Sequence, residues 1–469
     1  MATAVIDAPA APPTPRMTSR QRLVLTLLLG SQFMLAVDFS ILNVALPDIG
    51  HGLGFSLSNL QWISTAMMLP SAGFALLFGR FADMAGRRKM LLIGMALLAA
   101  GSLVGGLATT PAILLVGRVA QGLACALATP AALSLLTTSL PEGPLRDKAL
   151  ALNGTLLSAG FTVGAIFGGI LTDLLSWRWA FFINVPVAVA ILFAAPGVIS
   201  ESRGERTKLD IPGAITVTGG LLALVYGVTA GGQDGWAAPV TLITLAAAVV
   251  LLGAFWFIEL RAKAPLASVR VLTRQTVKWG NFGGLITFTM QSSAIFLLTL
   301  YLQDVFGYTP LQTGLTFCGF GAAAFTGGLL APRLLGRFGN RTLLGAGLLV
   351  QAVATGALFL VGNGGGSALA LLLAATMASG VGHVSVIVAY MVTATSGLSD
   401  SEQGLASGLA SMTQQVGATL GIPVLSSIAT ARTAATGSAL EGIHLALLVN
   451  ASIVLVGAVL SYTGLRTRR

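Results

Sequence analysis

Apolar stretches alternate with short polar gaps along almost the whole chain, and a stretch of roughly 20 apolar residues is enough for a helix to cross a bilayer. By that measure fourteen spans are predicted, over 23–46, 59–79, 90–108, 112–138, 149–173, 179–197, 211–230, 238–259, 279–303, 312–333, 342–361, 368–394, 404–429 and 443–464. No gap is long enough for a folded soluble domain, and the longest polar ones, 198–210 and 260–278, flank the seventh and eighth spans. The expected fold class is therefore all-α, integral to the membrane. The organisation reads as a disordered tail (1–22), a six-helix bundle (23–197), a linker carrying two extra transmembrane helices (198–278), a second six-helix bundle (279–464) and a short tail (465–469).

Charge orients this pattern. Of 26 Lys and Arg residues, all but three fall on one side of the predicted spans; Arg178 and Arg432 fall on the other and Arg118 lies within a span. Short loops rich in Lys and Arg stay cytoplasmic, so both termini are expected there, in a multi-pass protein of a bacterial inner membrane. All six Trp residues sit at span ends, where amphipathic rings favour the interface. With 55% hydrophobic and 9% charged residues and a mean hydropathy of +0.87, a soluble protein is excluded. The positive-inside bias accounts for the net charge of +10, so nucleic acid is not an expected partner. The first 20 residues, rich in Ala and Pro, lack the order of a cleavable signal. Cys125 and Cys318 lie in separate spans and suggest neither a disulfide nor a metal site.

An internal repeat supports the division. Gly79-Arg80-Phe81 and Gly86-Arg87-Arg88 between spans 2 and 3 are matched by Gly336-Arg337-Phe338-Gly339-Asn340-Arg341 between spans 10 and 11. Gly164-Ala165 and Gly168 of span 5 are matched by Gly417-Ala418 and Gly421 of span 13. Two related bundles around a midplane site is the build of many secondary transporters.

These residues resemble the major facilitator superfamily from about residue 23 to 465, and within it the fourteen-span drug:proton antiporter branch of the EmrB/QacA type. The resemblance is carried by Leu35-Ala36-Val37-Asp38-Phe39-Ser40-Ile41-Leu42-Asn43-Val44-Ala45-Leu46-Pro47 in span 1 and by Gly79 to Lys89 after span 2. Arg118-Val119-Ala120-Gln121-Gly122, the glycines Gly160, Gly164, Gly168 and Gly169, and Trp177-Arg178-Trp179 with Asn184-Val185-Pro186 add to it. One departure stands out: Ala165 occupies the position where the antiporter motif has proline. Glycines at i, i+4 and i+8 still line one helix face and admit a close neighbour. The resemblance implies two six-helix bundles plus two central helices, a proton-driven exporter, and a conformational latch at Gly79, Asp83, Gly86 and Arg87 that closes the cytoplasmic side. It also implicates Arg118 in coupling.

Asp38 is the foremost candidate for chemistry. A carboxylate inside an apolar helix is costly and usually serves an ion or substrate path; a structural acid paired with a neighbour is the alternative. Asp38 lies eight residues, about 12 Å, below the outer end of its span, and Arg118 six residues, about 9 Å, below the same surface. Desolvation raises a carboxyl group's pKa and a nearby guanidinium lowers it, so such a pair can take and release a proton, and its charged form can attract a cation. Arg118 can also be a plain tie to backbone carbonyls, with Gln121 one turn away to orient it.

Weaker candidates for a substrate cavity are Gln32, Phe33, Asn43, Gln121, Phe288, Gln291, Phe296, Gln414 and Gln415; intramembrane amides often only bridge helices. His383 titrates near neutral pH but reads more simply as a packing residue. Asp304 is expected in a loop. No phosphate-binding loop, catalytic triad, metal cluster or haem motif is present in the sequence. The expectation is accordingly no enzyme and no cofactor, but a monomeric antiporter, driven by the proton gradient, of hydrophobic or amphipathic drugs. A dedicated exporter of one natural product and a non-transporting membrane sensor are the alternatives.

The topology is testable by single-cysteine labelling. Positions around Asp234 and Gly364 should react from outside and those around Arg206 and Arg270 only from inside; inside-only labelling at Asp234 would overturn the assignment of spans 7 and 8.

Overall fold

The computed structural model describes residues 17–140, 144–203, 210–262, 269–362, 365–396 and 400–465. Arg206, Gly364 and the tails before residue 17 and beyond Leu465 lie outside the described residues. Every secondary-structure element among the described residues is helical. The long helices are α1 (Ser19–Leu53), α2 (Trp62–Ala85), α3 (Arg87–Gly106), α4 (Pro111–Ser139), α5 (Pro144–Leu174), α6 (Asn184–Val198), α7 (Ile211–Asp234), α8 (Pro239–Arg261) and α9 (Gln275–Leu300). Pro310–Ala357 is broken at Gly339, where φ is +78°, into α10 (310–338) and α11 (340–357). Then follow α12 (Gly366–Thr395), α13 (Asp400–Thr436) and α14 (Ala439–Gly464). Ten helical stretches among the described residues are long and apolar enough to cross a membrane, or eleven with the bent α2; Pro310–Leu360 counts as one of the ten.

The helices overrun the apolar runs because polar caps carry them past the bilayer edge. Thr18 and Gln21 form a reciprocal capping box, so α1 starts at Ser19 instead of residue 23. Thr309 and Gln312 do the same for α10, with Pro310 in the first turn. Asp304, expected in a loop, lies in a π-helical turn, Tyr301–Val305, that extends α9.

The face where α1 begins is called near and the face where it ends far. Glycines set the spacing. Gly164 and Gly168 of α5 lie against the carbonyls of Val37 and Ile41 in α1, and Gly417 and Gly421 of α13 against those of Leu285 and Thr289 in α9. The repeat read in the sequence is thus a repeated packing contact, in which a missing Cβ lets one backbone rest on another. Helix α7 fits between α2 and α13: Leu222 covers Gly73 and Ser427 faces Gly232.

Contacts between the α1–α6 half and the α9–α14 half concentrate on the far side. Gln303 Nε2 donates to Val44 O at 2.8 Å, Phe161 and Phe320 meet edge to face at 5.5 Å, and Gly314 of α10 seats against the carbonyl of Ala165. A continuous apolar core there includes Ile41, Leu46 and Phe181 together with Phe296, Leu297 and Phe317. On the near side a separate core, with Leu28, Leu91, Met95, Leu98 and Leu135, stays within the first half.

A Cβ at Gly421 would run into the Thr289 carbonyl, so Gly421→Val should destabilise the fold by about 1–3 kcal/mol, read as a lower unfolding midpoint in detergent. Gly253→Ala in α8, where a Cβ meets open space, should not lower that midpoint, since Ala is the better helix former.

Candidate functional site

Five side chains from four helices meet in the interior of the first half. Asp38 (α1), Ser102 (α3), Gln121 (α4) and Asn184 (α6) are 0% exposed and Arg118 (α4) is 2% exposed. Asp38 and Arg118, placed at similar depth by their sequence positions, do face each other: Arg118 Nη1 stands 3.6 Å from Asp38 Oδ2. Arg118 is held from two further sides, donating through Nε to Ile63 O at 2.8 Å and through Nη1 to Gln121 Oε1 at 2.9 Å. Gln121 therefore orients the guanidinium. It also does a second job, donating from Nε2 to Asp38 Oδ1 at 2.9 Å and to Ser102 Oγ at 3.0 Å. Asn184 Nδ2 donates to the same Oδ1 and, at 3.1 Å, to Ser102 Oγ.

The two carboxylate oxygens are thus unequal. Oδ1 accepts from two amides, while Oδ2 has no hydrogen-bond partner among the described residues and faces the guanidinium. A proton arriving at Oδ2 breaks no hydrogen bond, and the amides keep the carboxyl group in place in either state. Hydrogen bonds from the neighbours offset part of the desolvation of this buried pair, at Asp38 Oδ1 and at Arg118 Nε and Nη1.

Ser102 and Asn184 were not singled out from the sequence. Asn184 belongs to the quoted Asn-Val-Pro signature, but its inward aim depends on the break between the one-turn helix Trp179–Phe182 and α6. That break is a tertiary matter.

The near-side loop after α2 is packed within its own half. Asp83 Oδ1 pairs with Arg87, 2.7 Å from Nη2 and 2.8 Å from Nε. Arg87 N donates to Ser202 O at 2.9 Å. Glu201, also not singled out from the sequence, accepts from Arg88 N at 2.9 Å and Lys89 N at 3.2 Å, so a carboxylate caps the start of α3. Gly86, at φ +115°, makes the turn that brings Glu201 against it. Gly79 sits beside Pro130 in ordinary contact. Among the described residues Asp83 pairs with Arg87.

The remaining candidates divide. Gln32 donates to Thr129 O at 3.0 Å, tying α1 to α4, and Asn43 donates back to Phe39 O of its own helix at 3.2 Å. Phe296 is 1% exposed and packs in the core, so it offers no stacking surface. Phe33 is half-buried beside Gly160; Gln414 is exposed. Gln415 reaches across to Cys125 Sγ at 3.7 Å. Phe288 and Gln291 join a different cluster in the second half. Among the described residues no group of three or more His, Cys, Asp or Glu side chains is arranged to hold a metal ion.

The sequence matches the family model described as Major Facilitator Superfamily over residues 28–422 and 280–469. It is 35% identical over 430 residues to the cephamycin export protein CmcT of Amycolatopsis lactamdurans, covering 91% of this chain and 87% of that protein. It is 35% identical over 416 residues to a puromycin resistance protein of Streptomyces alboniger, covering 88% and 82%. Among solved structures, a bacterial homologue of the human lysosomal transporter Spinster, inward-facing and unoccupied, superposes with a TM-score of 0.66 at 15% identity, covering 96% of this chain and 98% of that one. A peptide transporter in complex with sulfate gives a TM-score of 0.67 at 15% identity, covering 96% and 99%.

If Asp38 and Arg118 compensate each other's charge, removing one strands the other. Arg118→Gln and Asp38→Asn should each destabilise the protein by about 3–5 kcal/mol, and the double variant Asp38→Asn/Arg118→Gln by less than either. Thermal unfolding of the purified variants reads the difference; additive losses would mean that the two charges are uncoupled.

Proposed function

We propose, since the chain belongs to the Major Facilitator Superfamily, that it is a proton-coupled antiporter exporting hydrophobic or amphipathic drugs or antibiotics. The observation that carries the proton-coupling part of this reading is Asp38 Oδ2, buried and without a hydrogen bond among the described residues, facing the Arg118 guanidinium at 3.6 Å. The named functions of the relatives, export of cephamycin and resistance to puromycin, support the cargo class. The helices α1–α14, read as fourteen spans in two six-helix bundles with α7 and α8 between them, support the drug:proton antiporter branch. Both termini are then cytoplasmic, the near face is the cytoplasmic face of the inner membrane, and the closed far side makes this an inward-facing state. One copy of the chain suffices for the cycle, and no cofactor takes part.

Protonation of Oδ2 cancels the carboxylate's charge and leaves Arg118 without a counter-ion. The pair then no longer favours the same arrangement of α1 against α4. A ligand shifts a two-state carrier only by its differential affinity for the states, and a buried proton that changes the balance of a desolvated ion pair meets that requirement. Asp38 is fully enclosed by its own neighbours, so its role lies with the proton and the cargo site is elsewhere.

A second reading, dedicated export of a single natural product, is favoured by a relative named for one antibiotic, cephamycin. A susceptibility and efflux screen in a pump-deleted host, with and without a protonophore, separates the two by the number of compounds expelled. In the same assay Asp38→Asn should abolish protonophore-sensitive efflux while the protein still reaches the membrane. Undiminished efflux by that variant would sink the assignment of the proton to Asp38.

A further inference from the structure

The second half holds a polar cluster that the proton site does not use. Paired glycines put the two halves in register: Gly101 (α3) and Gly117 (α4) rest on each other's carbonyls, and Gly347 (α11) and Gly382 (α12) do the same. The residue after Gly117 is Arg118 and the residue after Gly382 is His383. Where one half places a guanidinium, the other places an imidazole.

His383 is 9% exposed and lies among Thr287, Gln291, Gln351 and Ser379, all buried and all neutral. Gln351 Nε2 lies 3.4 Å from Thr287 O and donates to Gln291 Oε1 at 3.2 Å, which fixes the orientation of its amide. Gln291 Oε1 also accepts from Ser379 Oγ at 3.0 Å. The Thr287 hydroxyl donates its single proton to Gln351 Oε1 at 2.8 Å. It can then only accept from His383 Nδ1, also at 2.8 Å. The imidazole proton is thereby assigned to Nδ1, and Nε2 carries a lone pair. That nitrogen has no hydrogen-bond partner among the described residues. Phe288 stands edge-on to the same ring at 5.3 Å.

Among the described residues the network leaves His383 Nε2 without a donor, on a residue that keeps 9% of its surface exposed, so a donor group from outside the network can reach the lone pair. We propose that His383 Nε2 accepts a hydrogen bond from an N–H or O–H group of the exported compound, with Phe288 as an apolar wall beside it. This rests on the export reading and adds a selection rule. With no charged side chain in the cluster, cargo is chosen by a donor group and a flat apolar body instead of by formal charge. Thr287 and Gln351 are positioning residues that hold the tautomer.

The test uses two dyes with one xanthene core and one positive charge: rhodamine 123, whose nitrogens carry N–H donors, and tetramethylrhodamine methyl ester, whose nitrogens are fully methylated. Efflux of each is measured in proteoliposomes under an imposed proton gradient. His383→Phe should raise the KM for rhodamine 123 about tenfold, the loss of one hydrogen bond to a buried acceptor. The KM for the methylated dye, which has no N–H to lose, should change by less than about threefold, and a monodisperse elution profile of the purified variant checks folding independently. His383→Gln, which keeps an acceptor oxygen, should stay within about threefold of wild type. Equal changes for both dyes, no change for either, or a wild type that exports neither dye overturns the proposal. The antibiotic screen above decides the export reading separately.

Discussion

The structure depends on one electrostatic constraint: a carboxylate and a guanidinium that water does not reach must be neutralised and hydrogen-bonded by the protein itself. Asp38 and Arg118 meet that constraint through Gln121, Asn184, Ser102 and the carbonyl of Ile63, drawn from five helices. The position of α6 against α1, and of α2 against α4, is tied to it. A network of this kind has discrete arrangements and not a continuum, which is what a carrier that alternates between two states needs.

Close backbone approach makes the constraint satisfiable. Side chains of ordinary reach span the interior only because glycines bring the helices together, α5 onto α1 and α3 onto α4 in the first half, α13 onto α9 and α11 onto α12 in the second. The repeat is therefore one of packing before it is one of chemistry. Upon equivalent backbones the halves have placed unlike groups: a charged pair in one, a neutral amide, hydroxyl and imidazole network in the other. That asymmetry sets a buried charged pair in one half against a wholly uncharged polar network in the other.

The far-side closure has a matching logic. Gln303 to Val44, the Phe161–Phe320 contact and the seating of Gly314 on Ala165 are apolar or neutral contacts. Contacts of this kind part and re-form without stranding a charge. The near-side loop, by contrast, carries charged contacts, Arg87 on Asp83 and Glu201 on the first turn of α3.

Much of this was legible in the chain alone. The hydrophobic period follows from the solvent that each residue meets, so the all-α class and the placement of Asp38 and Arg118 inside apolar helices could be read without a fold. Helix ends were misplaced by several residues, as at Ser19 and at the Tyr301–Val305 turn, because caps and π turns act locally and outlast the apolar run. Tertiary structure alone decided which polar residues share a cluster. Asn184 and Ser102 look like any other interior Asn or Ser until α6 and α3 bring them to Asp38, and Phe296 and Phe288 are equivalent on paper until one is buried in the core and the other is set beside His383. The physical reason is that helix periodicity fixes a residue's depth, but the rotation of each helix about its axis is set by which glycine faces which carbonyl, a contact between segments that no single segment encodes.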